Sequence, residues 1–221
     1  MIKSLSITLL LLLTLWSCSE KKPVQLAEVN HSAITEVTDV SAAYLFYDET
    51  HPEDVDLNRS NIISTTNWLI NVDKRITLEH VIPEIIFMQN KKRNAEIHKN
   101  KDAKNYYTCN NTTIKNLGFI EFTDVIYHEE AQKEGNPQQV TVRFNSAEDI
   151  TTTIHFKNNT TVKADINNLQ AVIKMIQAPE NVKLVLDFNK NLTFQEYITF
   201  KSLILGLDLN QLTIDNNEFI Y

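Results

Sequence analysis

The chain has 221 residues, of which 43% are hydrophobic, 22% charged and 9% aromatic. These apolar side chains suffice to offset the entropy of ordering the chain, so composition excludes wholesale disorder and indicates a folded protein. Only 3 glycines and 2 cysteines are present, which excludes a glycine-rich phosphate loop, a disulfide framework and a zinc ribbon. The formal charge of −7 argues against nonspecific nucleic-acid binding, and no nucleic-acid partner is predicted.

The amino terminus has the pattern of a secretion signal. Lys3 precedes an apolar run from Leu5 to Trp16, which at 12 residues is too short to cross a bilayer as a helix. The run ends in Leu15-Trp16-Ser17-Cys18, which resembles the lipobox of bacterial lipoproteins. The resemblance implies that the signal peptide, residues 1–17, is removed and that Cys18 is acylated with diacylglycerol and a further chain such as palmitate.

The predicted lipid makes the membrane the first expected partner of the protein. Each buried CH₂ group contributes about 0.8 kcal/mol, so two or three acyl chains hold a protein stably on a bilayer. Ser19 stands where many lipoproteins of the inner membrane have Asp, which favours the periplasmic face of the outer membrane. Residues 18–32 then form a polar tether. The alternative is an ordinary cleaved signal with an incidental cysteine.

An internal repeat organises the rest of the chain. Residues 69–82 (LINVDKRITLEHVI) align without a gap with residues 185–198 (VLDFNKNLTFQEYI), at an offset of 116. A second match pairs residues 120–127 with residues 214–221, at an offset of 94. Each copy has the pattern of an apolar strand that ends in a polar turn, then a helix, then a closing strand. The repeat therefore predicts two copies of one strand-to-helix unit.

Local signals place the helix of each copy. Thr193, with Glu196 three residues later, is a capping box that opens the second helix, and Gly206 is placed to end it. In the first copy Thr77 takes the capping position. Pro83 then falls inside the first helix, where its ring is expected to kink the backbone.

The expected fold class is α+β, with two related small αβ units, each a sheet with helices packed on one face. The first unit covers residues 33–130 and includes a long polar loop at residues 91–116. A polar linker follows it, and the second unit covers residues 138–221.

The second unit resembles the periplasmic domain of the ExbD/TolR family. Residues 140–221 show the same order of strand, strand, helix, strand, helix and strand. The resemblance implies a compact module that dimerises or touches the cell wall or envelope proteins. Members of that family also have a transmembrane helix with an acidic residue for proton-driven work. The comparable segment here, Leu5 to Trp16, contains no Asp or Glu, so proton coupling is not implied.

The polar loop carries the candidate contact residues. From Lys91 to Lys104 there are six basic residues against two acidic ones, a local charge of +4 on an acidic protein. Such a patch suits anionic lipid headgroups or cell-wall carboxylates, and a merely solvated surface is the simpler alternative. The candidate partner-contact residues are Lys91, Lys92, Arg93, His98, Lys99, Lys101, Lys104, Tyr106 and Tyr107.

Other residues with chemical potential favour structural interpretations. Cys109 lacks a motif that would supply a base or an oxyanion hole. Glu53-Asp54 and Asp56, near His51, are typical of an acidic turn, although paired carboxylates also serve as general acid and base. His128-Glu129-Glu130 is more typical of a polar surface than of a metal site. No catalytic residue, metal or cofactor is predicted.

The sequence thus favours a lipid-anchored, non-enzymatic module of the cell envelope that binds a protein or cell-wall partner. An accessory role in an energised envelope transport system is one setting for it. The alternatives are an envelope hydrolase that acts on cell-wall material and a surface-displayed lipoprotein.

Overall fold

The computed structural model describes residues 23–51, 55–95, 100–133, 136–207, 209 and 211–221. The proposed signal peptide and Cys18 lie outside the described residues, as do Glu53-Asp54, His98 and Lys99. The described chain forms two six-stranded mixed sheets and three helices. No helix within these ranges is both long and apolar enough to cross a membrane.

The first sheet is built mainly from the first half of the chain. Its strands are β1 (Glu28–Val29), β2 (Val40–Tyr47), β3 (Val55–Asn58), β4 (Asn67–Val72), β5 (Asn105–Asn111) and β6 (Asn116–Glu121). The strand order is β1-β5-β4-β2-β3, and β6 also pairs with β5, outside this order. Strands β1, β5, β4 and β2 are parallel, whereas β3 and β6 run antiparallel to their neighbours. Helix α1 (Leu78–Arg93) connects β4 to β5.

The second sheet follows the same plan. Its strands are β7 (Ile126–His128), β8 (Gln139–Phe144), β9 (Ile150–Ile154), β10 (Thr160–Ala164), β11 (Val182–Phe188) and β12 (Leu212–Ile220). The strand order is β10-β9-β8-β11-β12-β7, with β8, β11, β12 and β7 parallel. Helix α2 (Leu169–Lys174) precedes β11, and helix α3 (Phe194–Leu205) connects β11 to β12.

The two sheets are related units, as the repeat predicts. In each, an antiparallel hairpin (β2-β3 or β8-β9) is followed by a strand, a helix and a parallel strand (β4-α1-β5 or β11-α3-β12). The corresponding strands also occupy corresponding places, in the orders β3-β2-β4-β5 and β9-β8-β11-β12. The α+β class with two related units is therefore confirmed, and so is the alignment of residues 69–82 with residues 185–198.

The second repeat match pairs elements that are not equivalent. Residues 120–127 cover the end of β6, a turn and the start of β7, whereas residues 214–221 belong almost entirely to β12. The true counterpart of β12 is β5, since each follows the long helix of its unit. The predicted unit boundaries also shift. β1 lies within the predicted tether yet pairs with β5, and β7 pairs with β12 of the second sheet.

The long polar loop predicted at residues 91–116 is wrong where regular structure interrupts it, over 11 of its 26 residues. Helix α1 continues to Arg93, and β5 occupies residues 105–111 with six of its seven side chains buried. Asparagines at both ends give β5 the composition of a loop, but each finds partners inside the fold. The side-chain oxygen of Asn105 accepts from Lys92 Nζ at 2.9 Å, and that of Asn111 accepts from the backbone of Thr113 at 3.1 Å.

Helix α3 lies against both sheets and joins their cores. The ring of Tyr197 packs edge-on against Phe188 of β11 at 5.0 Å and against Tyr107 of β5 at 6.1 Å between ring centroids. All three residues are fully buried. Burial of a side chain this large stabilises a fold by about 1.5–3 kcal/mol, so α3 binds the two units into one core.

The predicted helix starts are correct in position. Thr193 is the N-cap of α3 and forms the full capping box with Glu196. Thr77 is the N-cap of α1, but its side chain makes no capping hydrogen bond. Helix α1 continues through Pro83, and Gly206 occupies the C-cap of α3.

Candidate functional site

A buried ion pair joins α3 to β12. Lys201 Nζ contacts Glu218 Oε1, and the two side chains are only 4% and 1% exposed. The other carboxylate oxygen of Glu218 accepts a hydrogen bond of 2.8 Å from the hydroxyl of Tyr197. Removing two charges from water costs several kcal/mol each, so such a pair persists only where its remaining hydrogen bonds are made.

Two further tyrosines extend this network across the molecule. The hydroxyl of Tyr197 lies 3.1 Å from that of Tyr127 in β7, which lies 2.8 Å from that of Tyr107 in β5. Each hydroxyl has one proton, and Tyr197 donates its proton to Glu218. Tyr127 therefore donates to Tyr197, and Tyr107 donates to Tyr127. Burial raises the pKa of all three hydroxyls, so they remain protonated.

An irregularity in β12 immediately precedes Glu218. Leu184 and Leu186 of β11 pair with Ile214 and Glu218, so β12 carries two more residues than its partner over this stretch. The Asp215 carboxylate holds the bulge, because its Oδ1 accepts from the backbone and side-chain nitrogens of Asn217 at 2.9 and 2.7 Å. Bulges bend a strand and redirect its side chains, and they are frequent beside functional sites.

Three adjoining cavities lie along α3. The first, about 280 Å³, lies between residues 31–34, β6 and the end of α3. It shares His31 and Ser202 with a second cavity of about 430 Å³ that lies beside β1. It shares Glu121 and Leu205 with a third cavity of about 240 Å³ at the bulge, where Lys201 and Glu218 contribute to the wall. We call these three neighbouring cavities together the α3 groove.

Ser32 fixes one wall of the groove to β6. Its hydroxyl donates to the carbonyl oxygen of Phe119 at 2.8 Å and accepts from the Phe119 nitrogen at 3.0 Å. Gly118 permits this contact, since a Cβ atom there would lie 2.8 Å from the Ser32 Cβ. The wall of residues 31–34 is therefore held in place by main-chain and hydroxyl hydrogen bonds.

The groove is acidic. Its ionisable lining residues are Glu28, His31, Glu121, Asp124, Lys201, Asp215 and Glu218. From outside the groove Lys74 pairs with Glu28 at 2.8 Å and Lys104 pairs with Glu121 at 3.0 Å. Within the described chain, neither Asp124 nor Asp215 forms an ion pair with a lysine or arginine. The bulge end thus has two carboxylates without a salt bridge in the described chain, and Lys104 interacts with one of them, Asp124, at longer range.

Three of the predicted contact residues make contacts within the fold, although Arg93 and Lys104 are exposed and only Lys92 is partly buried. Lys92 Nζ donates to the carbonyl oxygens of Thr66 and Lys104 at 3.3 and 3.0 Å, and it lies 4.7 Å from the centroid of the Trp68 ring. Burial lowers the pKa of Lys92 to about 8. Arg93 donates to the carbonyl oxygen of Val125 at 3.0 Å, and Lys104 is the partner of Glu121.

The other predicted contact residues are dispersed. Tyr106 and Tyr107 are buried in β5 and belong to the core. Lys91 and Lys101 are exposed, whereas His98 and Lys99 lie outside the described residues. The basic segment is therefore partly used for internal contacts, and the seven candidates within the described residues do not all face one surface, because Tyr106 and Tyr107 are buried.

The described residues considered for catalysis or metal binding are buried or bonded to neighbouring side chains. Cys109 is fully buried, and burial raises the pKa of its thiol to about 12. His128 Nε2 lies 2.8 Å from Asn217 Oδ1, and His51 Nδ1 lies 3.0 Å from the Thr50 hydroxyl. Across the described ranges, no group of three or more His, Cys, Asp or Glu side chains is arranged to hold a metal ion.

Sequence reasoning missed Lys201 and Glu218. One signal was present, because Lys201 falls among the apolar residues of α3, between Phe200 and Ile204. A lysine at a buried helical position requires a partner, but its spacing in the chain does not identify Glu218 as that partner.

No family model, curated protein or solved structure matches the chain. The function is therefore inferred from the site's own residues.

Proposed function

We propose that the protein is a lipid-anchored module of the cell envelope that binds a protein or cell-wall partner in the α3 groove and catalyses no reaction. The α3 groove is the observation that carries this proposal. Ligand-binding clefts typically enclose about 300–1,000 Å³ and combine apolar walls with a few placed polar groups. The largest of the three adjoining cavities is about 430 Å³, and its walls combine Val29, Ile166 and Leu203 with Glu28 and Gln195.

The ion pair beside the groove supports a binding role. Lys201 and Glu218 bond to each other, and Tyr197 occupies the second oxygen of the carboxylate. A general acid or base must exchange its proton with a substrate, whereas this pair is committed to contacts inside the protein. The network therefore acts as a rigid support for the bulge and for the groove wall.

The lipid anchor is proposed from the sequence around Cys18. Gln25 is fixed to the body, because its nitrogen donates to Asp73 Oδ2 at 3.0 Å and its carbonyl oxygen accepts from Lys74 at 2.7 Å. Seven residues from Cys18 to Gln25 reach at most about 25 Å, so an acylated protein keeps its body close to the bilayer. Ser19 supports the periplasmic face of the outer membrane, and the resemblance of residues 140–221 supports an accessory role in energised transport.

Metabolic labelling with radioactive palmitate tests the anchor. The wild-type protein should carry label and sediment with membranes, and the Cys18→Ala variant should be unlabelled and recovered in the soluble fraction. Equal labelling of the two proteins would exclude Cys18 as the acylated residue.

Site-specific photo-crosslinking in intact cells tests binding in the groove. A photoreactive residue replaces Leu205, which lines the groove and is 51% exposed, or Val40, which is 43% exposed and lies outside the groove. A partner in the α3 groove gives a crosslinked species from position 205 and none from position 40. The same species from both positions, or from neither, contradicts the proposal.

A further inference from the structure

We infer that the partner is a protein that lays an extended segment with basic and apolar side chains along the α3 groove, with a basic side chain at the bulge end. This inference rests on the proposed binding function and identifies the chemistry of the partner.

The charge of the groove selects a basic segment. Each of Glu28, Glu121 and Glu218 already has a lysine partner. Asp124 and Asp215 line the same cavity at the bulge, and neither forms a salt bridge in the described chain. A lysine or arginine side chain placed in that cavity would be attracted by both carboxylates, and the walls of the cavity strengthen the attraction by excluding water.

The middle of the groove favours an apolar side chain of the partner. Its first cavity is walled by Ala33, Ile34 and Phe119, with Leu205 at the boundary to the third cavity. Leu205 is 51% exposed, so apolar surface faces the solvent at this point. An apolar side chain of the partner would cover it beside the basic residue.

The backbone of β12 favours an extended conformation for that segment. β7 pairs with β12 only at residues 217–219. In the described structure no strand pairs with residues 212–216 on that side, and Ile214 and Asn216 line the third cavity. Unpaired main-chain groups at a strand edge accept an additional extended chain.

The length of the groove indicates a short segment. From Gln195 to Leu205 the groove follows ten residues of α3, about 15 Å at 1.5 Å per residue. The bulge adds a few ångströms, so about six residues in extended conformation, at about 3.3 Å each, cover the whole length.

Two synthetic peptides test the inference by fluorescence anisotropy. One is an eight-residue peptide of alternating Lys and Leu, and the other alternates Glu and Leu. With the full-length mature protein in a neutral detergent, the Lys-Leu peptide should bind at least tenfold more tightly than the Glu-Leu peptide. The Asp124→Asn/Asp215→Asn variant should bind the Lys-Leu peptide at least tenfold more weakly than the wild type.

A control separates local from overall charge. Asp39→Asn/Asp102→Asn makes the same change in net charge at two exposed sites outside the groove, and asparagine suits the positive φ of 50° at position 39. This variant should retain wild-type affinity. Equal affinity for both peptides, or equal losses in both double variants, overturns the inference. A crosslink from position 205 to an acidic segment would also overturn it while leaving the proposed binding function intact.

Discussion

Thr77 and Thr193 pair as an isolated antiparallel bridge where the two repeats meet. Four main-chain hydrogen bonds of 2.7–3.0 Å surround the bridge, and each has a counterpart with the two copies exchanged. They run from Leu78 N to Leu192 O, from Phe194 N to Ile76 O, from Glu79 N to Lys190 O and from Gln195 N to Lys74 O. The first amide groups of a helix lack partners within it. Here main-chain oxygens of each repeat accept hydrogen bonds from the first helical amides of the other repeat. Because the bonds are reciprocal, a local twofold axis passes between the two threonines.

The two threonines differ in their side chains, which gives a matched test of helix capping. The Thr193 hydroxyl accepts from the Glu196 nitrogen at 3.3 Å, whereas the Thr77 side chain makes no capping bond. Thr193→Ala should lower the free energy of unfolding by about 1 kcal/mol, and Thr77→Ala by clearly less. Urea denaturation of the two variants measures the difference. Equal losses of unfolding free energy in the two variants would show that the capping box adds no stability beyond the reciprocal main-chain hydrogen bonds.

The sequence predicted the parts of the fold that depend on local pattern. The gapless alignment of residues 69–82 with residues 185–198 placed Thr77 and Thr193 at equivalent positions, because strand, turn and helix follow one another without insertion. The alignment failed beyond the helices, because the connection between α1 and β5 has a different number of residues from the connection between α3 and β12. Beyond the helices, strands of the two units correspond by their place in the order of parallel strands. Sequence similarity does not report that order.

The candidate site depends on contacts between distant parts of the chain. The α3 groove combines residues 31–34, β6, α3 and the bulge of β12, none of which is adjacent in sequence to the next. A cluster of lysines is visible in the sequence, but the bonds of Lys92 to main-chain oxygens are not. Similarly, the polar composition of β5 hides its burial, because Asn105 and Asn111 are satisfied by partners that only the fold supplies.

The buried ion pair predicts an asymmetric response to mutation. Lys201→Met removes the ammonium and leaves the buried carboxylate of Glu218 without its partner, which should cost about 3–5 kcal/mol in unfolding free energy. Adding Glu218→Gln should restore part of that loss, because the uncharged amide oxygen still accepts from Tyr197. Denaturant unfolding measures both values.

A matched control for the ion pair lies on the surface. Lys190 pairs with Glu79 at 2.6 Å, and the two side chains are 47% and 44% exposed. Lys190→Met should cost less than about 1 kcal/mol, as exposed pairs do. A comparable cost for Lys190→Met and Lys201→Met would contradict the structural role assigned to Lys201.

Asp73 predicts a dependence of stability on pH. Burial raises the pKa of its carboxyl, but hydrogen bonds from Arg75 and from the backbone of Gln25 outweigh burial and hold the pKa below the ordinary value of 3.8. The unfolded chain therefore binds a proton at Asp73 at a higher pH than the folded chain. The stabilisation is complete above about pH 5 and is lost as the pH falls through the folded-state pKa. Asp73→Asn should make the free energy of unfolding less dependent on pH below pH 5. The second repeat has asparagine, Asn189, at the equivalent position.

Salt distinguishes this carboxylate from an exposed one. Lys190 also lowers the pKa of Glu79, but that pair is open to solvent. At 0.5 M NaCl the wild type and Glu79→Gln should have nearly the same free energy of unfolding. The difference in free energy of unfolding between the wild type and Asp73→Asn should persist. Loss of both differences in salt would show that Asp73 acts as a surface charge.

The thiol of Cys109 should be inert in the folded protein. Burial raises its pKa to about 12, so at pH 8 only about one molecule in 10⁴ carries the reactive thiolate. In the Cys18→Ala background, 5,5′-dithiobis(2-nitrobenzoate) should react with Cys109 only as fast as the protein unfolds, and rapidly in 8 M urea. The neighbouring Asn110 is exposed, since successive side chains of a strand point to opposite faces. A Cys109→Ala/Asn110→Cys variant in the same background should therefore react quickly without urea. Native Cys109 reacting as fast as this control would contradict its burial and reopen its candidacy as a nucleophile.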